Sequence, residues 1–274
     1  MSTVMVVKCG GNAAVCADEV CRDIAALCRR GHKIVLVHGG SADIEHLGQR
    51  LGVPSRRMVV GSGARTRYTD PETLEVVTLA LAGKAKPRFV CGLQAAGVNA
   101  VGLTGCDGAL LRARRFAPTR ATVDGRPMVV RDNHSGRIVG VDDTLLWTLL
   151  EAGIVPVVSP PALAEDNAPV NADADRVAAA VAVAIGAPTL VLLTGAPGVL
   201  RDRDDETSVL DIYPVSCGPP PAFASGGMAI KLKAASEALA GGVGRVLIAD
   251  GRCSAPLSRA LSGSGTRITA GGSS

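Results

Sequence analysis

Two apolar runs near the start of the chain each stop at a pair of glycines: Val6-Val7-Lys8-Cys9-Gly10-Gly11 and Val35-Leu36-Val37-His38-Gly39-Gly40-Ser41. Runs that are apolar nearly throughout read as strands covered on both faces, the environment of a parallel sheet. Between them, Ala17 to Arg29 has apolar residues at helical spacing and Gly31 as a stop, so the segment reads as a βαβ unit. Glycine has no Cβ, so the backbone can lie against a ligand and aim its N–H groups at it, and a following helix N-terminus favours negative charge. With Lys8 beside them, Gly10, Gly11, Gly39, Gly40 and Ser41 form a candidate phosphate site.

The same alternation runs through all 274 residues. The expected fold is α/β, a mainly parallel open sheet sandwiched by helices, in two lobes of one integrated unit, 1–170 and 171–274. Ser41 to Leu51 reads as a helix, Gly61 to Arg67 as a polar loop, and Thr69-Asp70-Pro71-Glu72 as the start of helical segments reaching Ala96. A strand at Val98 to Leu103 follows. From Ala109 to Gly140, short alternating pieces with turns at Asp124-Gly125 and Ser135-Gly136 predict antiparallel hairpin ribbons. In the second half, helices are expected at Thr144 to Ala152, Asp173 to Ile185 and Met228 to Ala240, with strands at Ile154 to Ser159, Thr189 to Leu193 and Arg245 to Ala249. Cys217-Gly218-Pro219-Pro220-Pro221 reads as a surface loop and the final Gly-Gly-Ser-Ser as a loose tail.

A net charge of +4 with only 2% aromatic residues leaves little to stack on bases, which argues against nucleic acid as a partner. The eight cysteines show no CxxC and no Cys/His ligand spacing, so they read as free thiols in a reducing cytoplasm. No leader pattern and no apolar stretch of ~20 residues is present, so no membrane association is expected. The basic residues are unevenly spread. Arg112, Arg114, Arg115, Arg120, Arg126, Arg131 and Arg137 share one stretch whose only acids are Asp124 and Asp132.

No GxGxxG fingerprint and no GxxxxGK[ST] loop occurs, so the dinucleotide and Walker readings lack support. Two further clusters open helices: Ser225-Gly226-Gly227-Met228-Ala229-Ile230-Lys231 and Asn171-Ala172-Asp173-Ala174-Asp175-Arg176. Phosphoryl transfer needs positive charge and N–H donors around the migrating group, and two lysines with glycine turns supply both. Taken singly, each piece has a plainer reading: a lysine after a strand is a solvated end, and either aspartate is a helix cap.

The order KxGG, HGG, RxTD, NxxxD, GGMxxK, from Lys8 to Thr266, resembles the amino-acid kinase superfamily and, within it, the acetylglutamate kinase group. The resemblance implies that Lys8 and Lys231 neutralise charge on the transferring phosphoryl group and that Asp175 organises both. It implies that Arg67 grips a substrate α-carboxylate, a task its planar fork suits, and that Asn171 contacts the substrate's α-substituents. It places nucleotide contacts at Thr194, Gly195, Gly198, Gly227 and Met228, with ATP and Mg2+ as cofactors. Gly195 departs from the acidic residue or asparagine often found there. A carboxylate nucleophile, with a pKa near about 4.3, needs no general base, so His38 is assigned a structural role.

His38-Gly39-Gly40-Ser41 and the loop Gly61 to Asp70 are similar to those of LysW-aminoadipate kinases. Those enzymes act on an amino acid joined to a small acidic carrier protein. An acidic carrier would seek concentrated positive charge, so Arg112, Arg114, Arg115, Arg120 and Arg131 are candidate docking residues. Lys8 lies so near the start that an arginine-binding N-terminal helix has no room, and the resemblance implies an arginine-insensitive homodimer. Two rivals stand: an acetylglutamate kinase acting on the free amino acid, and a non-catalytic nucleotide-binding regulatory protein. Nothing in the sequence sets the side-chain length or the pathway.

Overall fold

The first strand, β1 (Val4–Cys9), is buried at every position, including Lys8, and pairs in parallel on both sides. The computed structural model describes residues 3–11, 14–61, 63, 65–215, 223 and 226–271. After β1 come α1 (Ala17–Arg29), β2 (Lys33–His38), α2 (Ser41–Arg50), β3 (Arg56–Val60), β4 (Arg65–Tyr68) and α3 (Pro71–Thr78). A π-helical turn over Leu79–Ala85 leads into α4 (Lys86–Ala95), then β5 (Ala100–Thr104), β6 (Leu111–Arg115), β7 (Thr119–Val123), β8 (Arg126–Val130) and β9 (Ser135–Val141). There follow α5 (Thr144–Glu151), β10 (Val155–Ser159), β11 (Ala162–Leu163), β12 (Pro169–Ala172) and α6 (Ala174–Ala184). The chain ends with β13 (Thr189–Thr194), β14 (Ile212–Val215), α7 (Gly227–Ala240), β15 (Arg245–Asp250), α8 (Pro256–Leu261) and β16 (Thr266–Ala270).

Eight strands form one sheet in the order β14-β16-β15-β13-β1-β2-β10-β5, parallel except between β15 and β16. Val6, Val35, Val37, Leu190 and Leu192 pack on one face with α6 and α7; Val7, Leu36, Val191 and Leu193 pack on the other with α1 and α4. Both faces are therefore dry, and each fully buried aliphatic side chain contributes roughly 1.5–3 kcal/mol. The sheet continues across the 170/171 boundary expected between lobes, because β1 sits between β2 and β13.

The ribbons are antiparallel but belong to two sheets. β6 and β9 join β11 and β12, whereas β7 and β8 extend a second sheet ordered β4-β3-β7-β8. The supposed loop before Asp70 ends as β4, so Arg67 stands on a strand paired to β3. The helical segments expected after Asp70 are joined by the π-helical turn, whose Leu81 presses on Gly40. The seven cysteines among the described residues are free; Cys217, its proline-rich loop and the last three residues of the tail lie outside them. No helix is long and apolar enough to cross a membrane among the described residues.

Candidate active site

Parallel strands deliver their C-terminal ends to one edge, where an open α/β sheet presents its ligand crevice. At that edge Lys8 Nζ lies 2.8 Å from Asp175 Oδ1, and Lys231 Nζ donates to Asp175 Oδ2 at 3.0 Å. One buried carboxylate thus bridges ammonium groups from β1 and α7, which are 223 residues apart in sequence (231 minus 8). Burial works against charge on all three. The two ammonium groups outweigh it at Asp175 and hold its pKa below the ordinary carboxylate value. Asp175 likewise outweighs burial at Lys8, whose pKa is raised, while burial and the repulsion of Lys8 leave Lys231 lowered.

Asp173, two residues earlier, has a separate task. Its side chain caps α6, accepting from the N–H groups of Asp175 and Arg176 at 3.0 Å. The cap leaves Asp175, in the first turn of α6, free to face the lysines.

The two glycine turns touch each other. Ser41 Oγ and the Ala42 N–H both donate to Gly11 O at 2.9 Å. A Cβ on Gly11 would fall 2.4 Å from the backbone nitrogens of Gly40 and Ser41, and one on Gly10 would fall 3.1 Å from Leu193 O. Gly39 packs against Ala174 at the start of α6. Gly11, and to a lesser degree Gly10, is therefore required by close approach of backbone to backbone, while a Cβ on Gly40 would meet Leu81 Cδ2 at 2.6 Å. His38 is fully buried, with Nδ1 3.0 Å from Gly39 O and its ring 5.2 Å from that of Phe89. Burial pulls its pKa down to about 4, which keeps it neutral and structural.

On the ribbon side, the Arg67 guanidinium contacts Ser55 Oγ and lies 3.9 Å from Glu45 Oε2. Burial and the nearby Arg57 pull its pKa down to about 10. Asn171 Nδ2 donates to Thr69 Oγ1 at 3.3 Å, and Ser135 Oγ donates to the same oxygen at 3.0 Å. The Thr69 N–H donates to Asn133 Oδ1 at 3.1 Å. Thr69, fully buried, therefore links the strand bearing Arg67 to Asn171. Sequence reasoning missed Thr69, Asn133 and Ser135 as a unit, since 102 residues separate Thr69 from Asn171.

Thr194 ends β13 beside Asp250 of β15, and Gly195 follows it. A Cβ on Gly198 would strike Thr266 Oγ1 at 2.6 Å, so that glycine is demanded by packing. Gly227 and Met228 begin α7 just ahead of Lys231, after Gly226 at φ +64. Arg252, which sequence reasoning also missed, holds Glu206 with bonds of 2.6 and 2.8 Å and Asp250 with bonds of 2.9 Å. It ties the loop after β13 to the end of β15.

Space also revises the basic stretch. Arg112 bonds Asn167 at 2.8 Å, Arg114 lies 3.6 Å from Glu165, and Arg115 bonds Asp166 at 3.2 Å. Acids from the loop between β11 and β12 thus offset part of the charge that a sequence window shows as unbalanced. Arg120, Arg126, Arg131 and Arg137 are exposed and have no ion pair among the described residues.

The chain is similar in sequence to proteins of known name. The chain is 39% identical over 267 residues to a [LysW]-aminoadipate kinase of Deinococcus radiodurans, covering 97% of this chain and 91% of the relative. It is 40% identical over 268 residues to that of Thermus thermophilus, covering 97% and 100%. An acetylglutamate kinase of Symbiobacterium thermophilum is 39% identical over 254 residues, covering 90% and 84%. The model of the Amino acid kinase family matches residues 3–250, and the chain belongs to that family.

Proposed function

We propose that this kinase transfers the γ-phosphoryl group of ATP to the side-chain carboxylate of aminoadipate or glutamate held on a LysW-type carrier, forming an acyl phosphate. The observation that carries the reading is the pair of ammonium groups bridged by Asp175 beside two glycine turns in contact. In this reading a carboxylate oxygen of the acceptor attacks the γ-phosphorus as the bond to the bridging oxygen breaks. ADP leaves with the electron pair. The acceptor is ionised at neutral pH, so no proton moves. Lys8 and Lys231 offset charge on the migrating group, Asp175 holds them apart, and backbone N–H groups of the turns receive the equatorial oxygens.

Arg67 and Asn171 hold the acceptor's α-carboxylate and α-nitrogen side, with Thr69 fixing Asn171. Thr194, Gly195, Gly198, Gly227 and Met228 are assigned to the nucleotide. Among the described residues, no group of three or more His, Cys, Asp or Glu side chains is placed to hold a metal ion. Mg2+ would therefore come with the phosphates of ATP, its usual partners. A cytoplasmic homodimer is part of the reading.

Three features favour a carrier over free acetylglutamate: the match to kinases named for LysW over 97% of the chain, against 90% for an acetylglutamate kinase of near-equal identity, Ser41 after the second glycine pair, and the exposed Arg120 and Arg131. The test supplies ATP with either the carrier-linked amino acid or free N-acetylglutamate and traps the acyl phosphate with hydroxylamine. Hydroxamate with the carrier-linked acceptor alone is expected. Hydroxamate with free N-acetylglutamate alone sinks the carrier reading, and none with either acceptor favours a nucleotide-binding regulator.

A further inference from the structure

We propose that Arg176 and Glu237 are positioning residues for phosphoryl transfer: their fork-to-fork ion pair fixes the spacing of α6 and α7, and with it the reach of Lys231 to Asp175. The proposal rests on the reading of Lys8, Asp175 and Lys231 as the kinase centre.

Asp175 and Arg176 are neighbours in the first turn of α6, and Lys231 and Glu237 both lie on α7. Arg176 Nε donates to Glu237 Oε2 at 2.9 Å, and Nη2 donates to Oε1 at 2.7 Å. A bidentate pair fixes distance and relative rotation together, which a point charge cannot do. The Lys231–Asp175 bond of 3.0 Å joins the same two helices nearer the start of α7. At the far end the helices meet again, where a Cβ on Gly241 would fall 2.3 Å from Val183 Cγ2. The helix pair thus has three cross-links in sequence, and the fork is the middle one.

Packing also joins the two helices: Val177, Ala178 and Val181 of α6 share one buried cluster with Leu232, Ala235 and Ala238 of α7. A cavity of about 320 Å³ lies against the fork, lined by Val139 and Val141 of β9 and by Ala179, Ala180 and Val183 of α6. Beside the fork, small side chains and the exposed Val139 and Val183 border a surface hollow in place of close packing. On that side the fork adds a restraint on spacing and rotation to what the packed face supplies. Lys231 needs such restraint because it is buried beside Lys8, which repels it, and only Asp175, with a weaker pull from Asp173, attracts it. If α7 slid outward, its ammonium group would gain hydration by leaving Asp175.

The test uses the full-length protein with Arg176→Gln, Glu237→Gln and the double variant. Two quantities are read below the melting temperature: kcat with saturating substrates, and the rate at which acetic anhydride labels Lys231, followed by mass spectrometry. A displacement near 1 Å costs up to 10²-fold in rate, and the half-exposed fork controls part of that, so each single variant should lose about 10-fold in kcat with KM values within about threefold. Labelling of Lys231 should quicken by a similar factor. Because the two residues act as one device, the double variant should lose the same ~10-fold and not the product of two losses. Arg176→Lys keeps the charge without the fork and should lose about threefold, which keeps the test open if a glutamine variant folds poorly. Wild-type kcat and wild-type Lys231 protection in the single variants overturn the proposal, as do losses that multiply. If the wild type transfers phosphate to no acceptor while Arg176→Gln still exposes Lys231, the functional reading fails and the positioning role stands.

Discussion

Gly11→Ala probes the contact between the two glycine turns. Its Cβ would lie 2.4 Å from the nitrogens of both Gly40 and Ser41 and 2.8 Å from Gly40 Cα, all backbone atoms that cannot swing aside as a side chain can. Ordinary contact begins at 3.4 Å, so the turns must part by about 1 Å. The bonds from Ser41 Oγ and the Ala42 N–H to Gly11 O, both 2.9 Å, would then stretch beyond useful length. Overpacking of this kind costs roughly 1–3 kcal/mol, which at about 2–4 °C per kcal/mol lowers Tm by several degrees without unfolding the protein. The effect on transfer is larger, since moving the phosphate cradle by ~1 Å costs on the order of 10²-fold in kcat. Single-turnover transfer from labelled ATP at saturating acceptor, run beside a thermal melt, measures both. Gly83→Ala is the control: it sits in the π-helical turn with open space where a Cβ would go, and should keep wild-type kcat. A Gly11→Ala enzyme within threefold of wild-type kcat would refute the argument that this contact sets the cradle.

Asp175→Asn leaves two buried ammonium groups without their shared counter-charge, and should cost about 3–5 kcal/mol in denaturant unfolding and at least ~10²-fold in kcat. The pH dependence follows from the direction of its shift. A carboxylate held below its ordinary pKa of about 3.9 stabilises the fold above that value and loses the contribution as pH falls through the folded-state pKa. The stability gap between wild type and Asp175→Asn should therefore be flat from pH 5 to 7 and close below about pH 4 in urea titrations. Asp23→Ala removes the buried carboxylate that accepts from the Leu257 and Ser258 N–H groups at 2.7 and 2.8 Å and from Ser258 Oγ at 2.6 Å. With α8 uncapped, stability should fall by about 1–3 kcal/mol while kcat at 25 °C stays unchanged, as paired melts and rate measurements would report.

Much of the fold was legible because its strands are short, apolar and punctuated. The runs ending at Gly11 and Gly40 are strands whose ends meet, and the helices capped by Asp70 and Asp173 begin at those caps. Arg67 was read in a loop because Gly61 and Gly63 dominate the local pattern. Pairing with β3 overrides it, and cross-strand pairing is invisible in one segment. The π-helical turn leaves no periodic mark of its own, yet it carries Leu81 onto Gly40.

Local chemistry, written in residue types and their near neighbours, determined which groups could serve: two lysines, an aspartate, paired glycines, an arginine and an asparagine. That follows because strand and turn signals, and the motifs built on them, act over a few residues. Only the tertiary structure decided how those groups are wired. It brought both lysines within 3.0 Å of one carboxylate, joined Thr69 to Asn171, set Glu165 and Asp166 against Arg114 and Arg115, and forked Arg176 to Glu237 across two helices. Those contacts span tens to hundreds of residues, so their distances are set by how the sheet and its layers pack, which no window of sequence contains.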